Sequence, residues 1–173
     1  TSYGYKTNAA APVTETKIGF KYICDTIISD DVLIGGEESG GIAIKGHIPE
    51  RDGLWIGLTI LEFMAHTGKS LDELIEEVYA ITGSFAVERY DLHIDEATKQ
   101  KVIEQCTNKG YSSFGPYTIE KEENLDGFKY HLGNDRWVMI RPSGTEPVLR
   151  VYAEAETSEK AFDLLENTKA TIL

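Results

Sequence analysis

The 173-residue chain is poor in the residues that mark several large classes of protein. It has two cysteines, Cys24 and Cys106, far apart and in no C-x-x-C pair. They read as buried thiols in a reducing compartment, not as a disulfide framework. Basic side chains are scarce, with 17 Lys and Arg against 29 Asp and Glu. The resulting charge of −12 argues against non-specific grip on nucleic acid or on an anionic membrane. It would also repel an anionic substrate at long range, so any phosphate site has to be locally positive. The most apolar run, Leu54 to Met64, is too short to span a bilayer. The N-terminus is polar and tyrosine-bearing with no signal-peptide pattern, which predicts a soluble, cytoplasmic protein.

Catalytic signatures are missing too. His47, His66, His93 and His131 are isolated, with no H-x-x-x-H or Cys–His spacing, so no metal cluster is expected. No G-x-S-x-G elbow supports a serine hydrolase. Glu37 and Glu38 are adjacent, which is the wrong geometry for an acid/base pair across a glycosidic bond.

What is present is an ordinary globular composition, 41% hydrophobic and 27% charged, long enough for one domain or two small ones. Val32-Leu-Ile34 reads as a short buried strand ending at the loop Gly35-Gly-Glu-Glu-Ser-Gly-Gly41. Asp52 is placed to cap a helix that is apolar on most sides, predicted to be buried between layers and to end at Gly68. Ser70 and Glu73 form a capping box for an amphipathic helix closed by Gly83. A domain boundary is placed near Thr82 to Ser84, dividing the chain into 1–83 and 84–173.

The second half has the rhythm of an α+β domain: an antiparallel sheet with two helices on one face. Phe85 and Val87, then Tyr90, Leu92 and Ile94 in shifted phase, predict a strand with a bulge. Asp95 caps a helix to about Asn108, and Ser158 caps a last helix that buries Ala161, Phe162, Leu165 and Ile172. Strands are expected at Tyr117 to Lys121, Phe128 to Leu132, Arg136 to Ile140 and Val148 to Ala155.

Two loops carry the candidate chemistry. Arg141-Pro-Ser-Gly-Thr-Glu-Pro147 is expected as the turn between the last two strands, with its polar groups at the tip. The Arg141 fork can hold two phosphate oxygens, Ser143 and Thr145 can donate hydroxyl hydrogens, and Gly144 lets the backbone approach closely. The same residues also describe an ordinary proline-glycine hairpin with a surface arginine. In the glycine-rich loop, a strand-like backbone would point Glu37 and Ser39 the same way, towards sugar hydroxyls, and Glu38 elsewhere. A flexible acidic turn is the other reading of that loop.

Together, Gly35-Gly-Glu-Glu-Ser-Gly40 and Arg141-Pro-Ser-Gly-Thr-Glu-Pro147 resemble the sugar-binding and phosphate-binding loops of the α-D-phosphohexomutases. His47-Ile-Pro-Glu-Arg-Asp-Gly53 and Glu15-Thr-Lys-Ile-Gly-Phe-Lys21 are similar to further segments of that family. The resemblance is closest to the bacterial phosphoglucomutase/phosphomannomutase type. It implies a four-domain enzyme that passes a phosphoryl group from a phosphoserine to a hexose phosphate through a bisphosphate intermediate. On this resemblance, Glu37, Ser39 and Lys21 would bind the sugar, while Arg141, Ser143, Gly144, Thr145 and, in support, Arg150 would hold the non-reacting phosphate. Both loops would line one cleft.

No Ser-His-Asn phosphoserine loop and no Asp-x-Asp-x-Asp magnesium loop occurs in the sequence. The chain is therefore expected to be the α/β remnant of a mixed-sheet third domain plus a whole fourth domain. It would have no catalytic residue or metal of its own, and magnesium would be bound outside this chain. Its partners would be the remaining domains and a hexose phosphate, with Glu38 leaning towards glucose or mannose. A non-catalytic sugar-phosphate binding module is the alternative.

Overall fold

The computed structural model describes residues 13–37, 39–143 and 147–173. Two compact units divide the chain, one ending at Thr82 and the other running Gly83–Leu173. Thr1 to Pro12, Glu38, Gly144, Thr145 and Glu146 lie outside the described residues.

In the first unit, α1 (Phe20–Ser29) packs on a two-stranded antiparallel hairpin of β1 (Ile34–Gly36) and β2 (Ile42–Ile44). Gly35 makes this contact possible, since a Cβ there would lie 2.5 Å from the Ile23 side chain. The expected buried strand is corrected here. Alternation turns residue 35 onto α1, so Ile34 faces outward and is 57% exposed, with Leu33 exposed beside it.

Helices α2 (Gly53–Thr67) and α3 (Leu71–Thr82) follow, and their ends obey local chemistry. The Asp52 carboxylate accepts from the Leu54 and Trp55 amides, both at 3.1 Å. Gly68 takes the left-handed cap at φ 70°. The capping box forms, with the Ser70 amide donating to Glu73 at 2.8 Å and the Glu73 amide to the Ser70 hydroxyl at 3.3 Å. The predicted burial of α2 is wrong, however: none of its residues is buried, and Leu54 is 84% exposed. Its apolar faces run all round, while its main neighbour is the short strand β2. One strand cannot cover such a helix.

The second unit holds a five-stranded antiparallel sheet in the order β3-β9-β8-β7-β6. Its strands are β3 (Ala86–His93), β6 (Lys121–Glu123), β7 (Phe128–His131), β8 (Trp137–Pro142) and β9 (Val148–Ala155). A small hairpin of β4 (Ser113–Phe114) and β5 (Tyr117–Thr118) stands apart from it. The stretch expected as one strand from Tyr117 to Lys121 is thus split between β5 and β6. Helices α4 (Glu96–Thr107) and α5 (Ser158–Ile172) share one core with the inner face of the sheet. Val102 and Cys106 of α4 and Leu164 and Leu165 of α5 meet Val138, Ile140, Leu149 and Val151 there.

Three details of this unit differ from expectation. β3 has no bulge, because every residue from Ala86 to His93 has one partner on β9. Glu88, not Val87, takes the inward position, and the Ser158 hydroxyl donates to its carboxylate at 2.5 Å. Ser158 is therefore not the cap of α5. Thr157 is, accepting from the Lys160 amide at 3.3 Å. Phe162 is 40% exposed instead of buried, lying at the flank of α5 against the Tyr90 ring.

Candidate functional site

The strongest candidate lies where β8 and β9 approach the 143–147 loop. The Ser143 amide donates to the Val148 carbonyl at 3.0 Å, which continues the β8–β9 ladder past Pro142. Arg141 and Pro142 are therefore strand residues and not part of the turn tip, which corrects the sequence expectation. The proline costs no ladder bond. Its nitrogen faces the β7 side, beyond the last β7–β8 pair, Phe128 with Ile140.

This register sets Arg141 directly opposite Arg150 on the outer face of the sheet. Cα atoms in such a hydrogen-bonded pair are about 5.5 Å apart, and like charges placed so are destabilising. Carboxylates stand nearby. Asp126 Oδ2 is 3.6 Å from Arg141 Nε, and Asp91 Oδ1 is 3.9 Å from Arg150 Nε. Asp91 is also 3.1 Å from Arg89 Nη2. Gly127, at φ 101°, lets the Asp126 turn close on the strand, because a Cβ there would lie 2.9 Å from the Ile140 carbonyl oxygen.

An open hollow of about 500 Å³ beside Arg141 is lined by Asn124, Asp126, Phe128, Arg141, Pro142 and Ile103. Ser143 is buried, and its carbonyl accepts from Lys99 Nζ at 2.8 Å. Gly144 and Thr145, which the sequence assigns to the same site, lie outside the described residues. Chemically, the ends of β8 and β9 offer two guanidinium groups on one surface, next to a loop with a hydroxyl residue. That is a surface for an oxyanion.

In the first unit, the glycine-rich loop is a turn. The Gly40 amide donates to the Glu37 carbonyl at 3.0 Å, and the Glu37 amide to the Gly41 carbonyl at 2.9 Å. Alternation along a strand therefore does not set its side-chain directions. Glu37 has only 14% of its side chain exposed, and Arg51 Nη1 donates to its Oε2 at 3.2 Å. Arg51 reaches it across Gly41, where a Cβ would lie 2.5 Å from Arg51 Cδ, and its guanidinium also sits 5.1 Å from the Phe20 ring centre. Ser39 is exposed at the turn.

The 47–53 segment holds the base of α2. His47 Nε2 lies 2.9 Å from Asp52 Oδ2, and its ring stacks on Trp55 with centroids 4.5 Å apart. The Trp55 amide, with His47 in support, holds the Asp52 carboxyl below the usual carboxylate range. Lys21 is exposed on α1, with its ammonium 4.7 Å from the Tyr22 ring centre.

Sequence reasoning missed Arg51, Lys99 and Asp126. Arg51 falls within the 47–53 segment, where no pattern gives it a role of its own. Asp126 sits in a Leu-Asp-Gly turn, a combination that specifies shape alone. Lys99 looks like any lysine on a polar helix. Among the described residues, no three His, Cys, Asp or Glu side chains converge as metal ligands. No helix among them is long and apolar enough to cross a membrane.

Comparison with known proteins divides the chain in two. Residues 5–81 match the family model described as phosphoglucomutase/phosphomannomutase, alpha/beta/alpha domain III. Residues 94–170 match the one described as phosphoglucomutase/phosphomannomutase, C-terminal domain. A phosphoglucomutase/phosphomannomutase of Thermococcus kodakarensis is 35% identical, over 90% of this chain and 32% of its own length. A phosphoglucosamine mutase of Methanocaldococcus jannaschii is 34% identical, over 89% of this chain and 32% of its own. Among solved structures, a protein assigned as a phosphomannomutase from Thermus thermophilus is 33% identical with a TM-score of 0.75. That match covers 98% of this chain and 33% of the other. The chain thus spans about a third of the length of the relatives it matches.

Proposed function

The chain belongs to the phosphoglucomutase/phosphomannomutase family, and from that premise we propose that it is the sugar- and phosphate-binding portion of a hexose-phosphate mutase. The whole enzyme interconverts hexose 1-phosphate and hexose 6-phosphate through a phosphoserine and a bisphosphate intermediate. The phosphoserine and its magnesium loop lie outside these 173 residues, which contain neither motif. The enzyme works in the cytoplasm.

The observation that carries the proposal is the placement of Arg141 directly opposite Arg150 at the mouth of the 143–147 loop. Two like charges in that relation are a local cost that a bound phosphate turns into a gain. Arg141, Ser143, Gly144 and Thr145 grip the phosphate that is not reacting, with Arg150 adding charge. Glu37 and Ser39 bind sugar hydroxyls, and Lys21 contacts the substrate.

The reaction gives this division its logic. The sugar has to be held in two opposite orientations, so recognition relies on hydroxyls that look alike after reversal. A phosphate anchor far from the reacting centre supplies binding energy that aligns the transfer. Glucose and mannose phosphates are the proposed substrates. Glucosamine phosphates belong in the same test, since several relatives are phosphoglucosamine mutases.

Titration of the chain with glucose 1-phosphate, mannose 1-phosphate and glucosamine 1-phosphate tests the proposal. Arg141→Ala is expected to weaken binding by about 2–3 kcal/mol, the range for lost charge-assisted bonds. Binding unchanged by that substitution would overturn the phosphate assignment.

A further inference from the structure

Lys99 breaks two local rules. It lies in the first turn of α4, where the helix dipole disfavours a cation, and it is 7% exposed, where desolvation penalises any charge. Among the described residues it is the only buried lysine or arginine. A sequence that tolerates both costs gains something at that position.

The contacts of the ammonium show where the gain lies. Lys99 Nζ donates to the Ser143 carbonyl at 2.8 Å and stands 3.7 Å from the exposed Glu96 carboxylate. Ser143 is itself 8% exposed, and its amide is tied to the Val148 carbonyl at 3.0 Å. Both backbone groups at the start of the loop are thus held, one by the strand ladder and one by a buried cation. A carbonyl engaged by an ammonium cannot turn its negative end towards an anion. The ammonium charge, shielded from water, also acts at a lower effective dielectric than a surface lysine would.

We propose that Lys99 is a positioning residue for the phosphate site: it fixes the Ser143 carbonyl and supplies a buried positive charge to the bound anion. This rests on the reading that the loop from Arg141 to Thr145 holds phosphate. The role requires no contact between Lys99 and the ligand. It also accounts for the lysine at a place where a leucine would pack without the desolvation cost.

The test is a titration of the isotope-labelled 173-residue chain with inorganic phosphate and with glucose 1-phosphate, following amide shifts by NMR, with thermal midpoints recorded for each variant. Lys99→Met, which removes both charge and donor, is expected to weaken binding of both ligands by about tenfold. Lys99→Gln, which keeps a donor without charge, should fall between Met and wild type, and Lys99→Arg should recover most of the affinity. If the lysine served stability alone, its replacement would lower the thermal midpoint but leave the Gln and Arg variants equal in phosphate affinity, and that result overturns the proposal. Should Lys99→Met fail to fold, the comparison of Gln with Arg decides in the same way. Loss of binding in Arg141→Ala with full binding in Lys99→Met would overturn the Lys99 role alone. Equal binding by wild type and Arg141→Ala would remove the phosphate reading on which it rests.

Discussion

At Glu37 a carboxylate is oriented before any ligand arrives. Arg51 holds one oxygen at 3.2 Å and crosses Gly41 to do so, so on the proposed sugar-binding role little conformational freedom remains to be lost. Replacing the carboxylate by an amide puts a donor beside the guanidinium and removes a charge-assisted acceptor. Glu37→Gln is accordingly expected to weaken sugar-phosphate binding about tenfold, and by more than Glu38→Gln does. Titrations of the two variants side by side would decide, and equal losses would reject the assignment of Glu37. Single residues also mark where the sequence becomes hard to interpret. Asp52, Ser70, Glu73 and Asp95 cap helices as expected, because a cap depends on residues within one turn of chain. Arg51 and Lys99 owe their significance to partners 14 and 44 positions away, and no local pattern announces them.

Among the elements, β9 is the most constrained. Both of its faces are covered over much of its length, and Glu154 has no exposed surface where it pairs with Trp137 of β8. Burial pushes the Glu154 carboxyl up from its usual value. A carboxyl whose folded value lies above its unfolded one costs nothing while both states are protonated. The penalty appears as pH rises past the unfolded range and the folded state resists ionisation. Glu154→Gln should therefore raise the thermal midpoint at neutral pH and give almost no gain near about pH 3, below the range where an unfolded glutamate titrates. A gain of equal size at both pH values would show that the charge is not the cause. β3 teaches the complementary lesson about legibility. Its hydrophobic phase points to a bulge, but Ser158, 70 positions away, satisfies Glu88 at an inward position and keeps the ladder regular. Strand alternation is visible in the sequence. The partner that sets its phase is not.

Across the whole molecule, apolar burial is uneven. Of the buried apolar residues among those described, only Phe20 and Ala43 belong to the unit that ends at Thr82. The other unit contains a continuous core beneath a five-stranded sheet. In the first unit, Leu54, Leu58 and Leu61 on α2 and Val78 and Ile81 on α3 are more than half exposed. Expressed separately, Gly83–Leu173 should unfold cooperatively with heat, whereas residues 13–82 should melt broadly and bind a hydrophobic dye. Circular dichroism and dye fluorescence on the two fragments provide the check, and a sharp transition in 13–82 would contradict the burial pattern. The apolar character of α2 is plain from its sequence. Its exposure is not, because periodicity reports which faces are apolar and says nothing of whether a neighbour exists to cover them.

The tie between Lys99 and the Ser143 carbonyl has a practical side. On the role proposed for Lys99, the seating of α4 becomes a remote dial for anion affinity, and substitutions in the packing beneath that helix are expected to tune it. An engineer would then have a handle on affinity that leaves the surface guanidinium groups of Arg141 and Arg150 as nature left them.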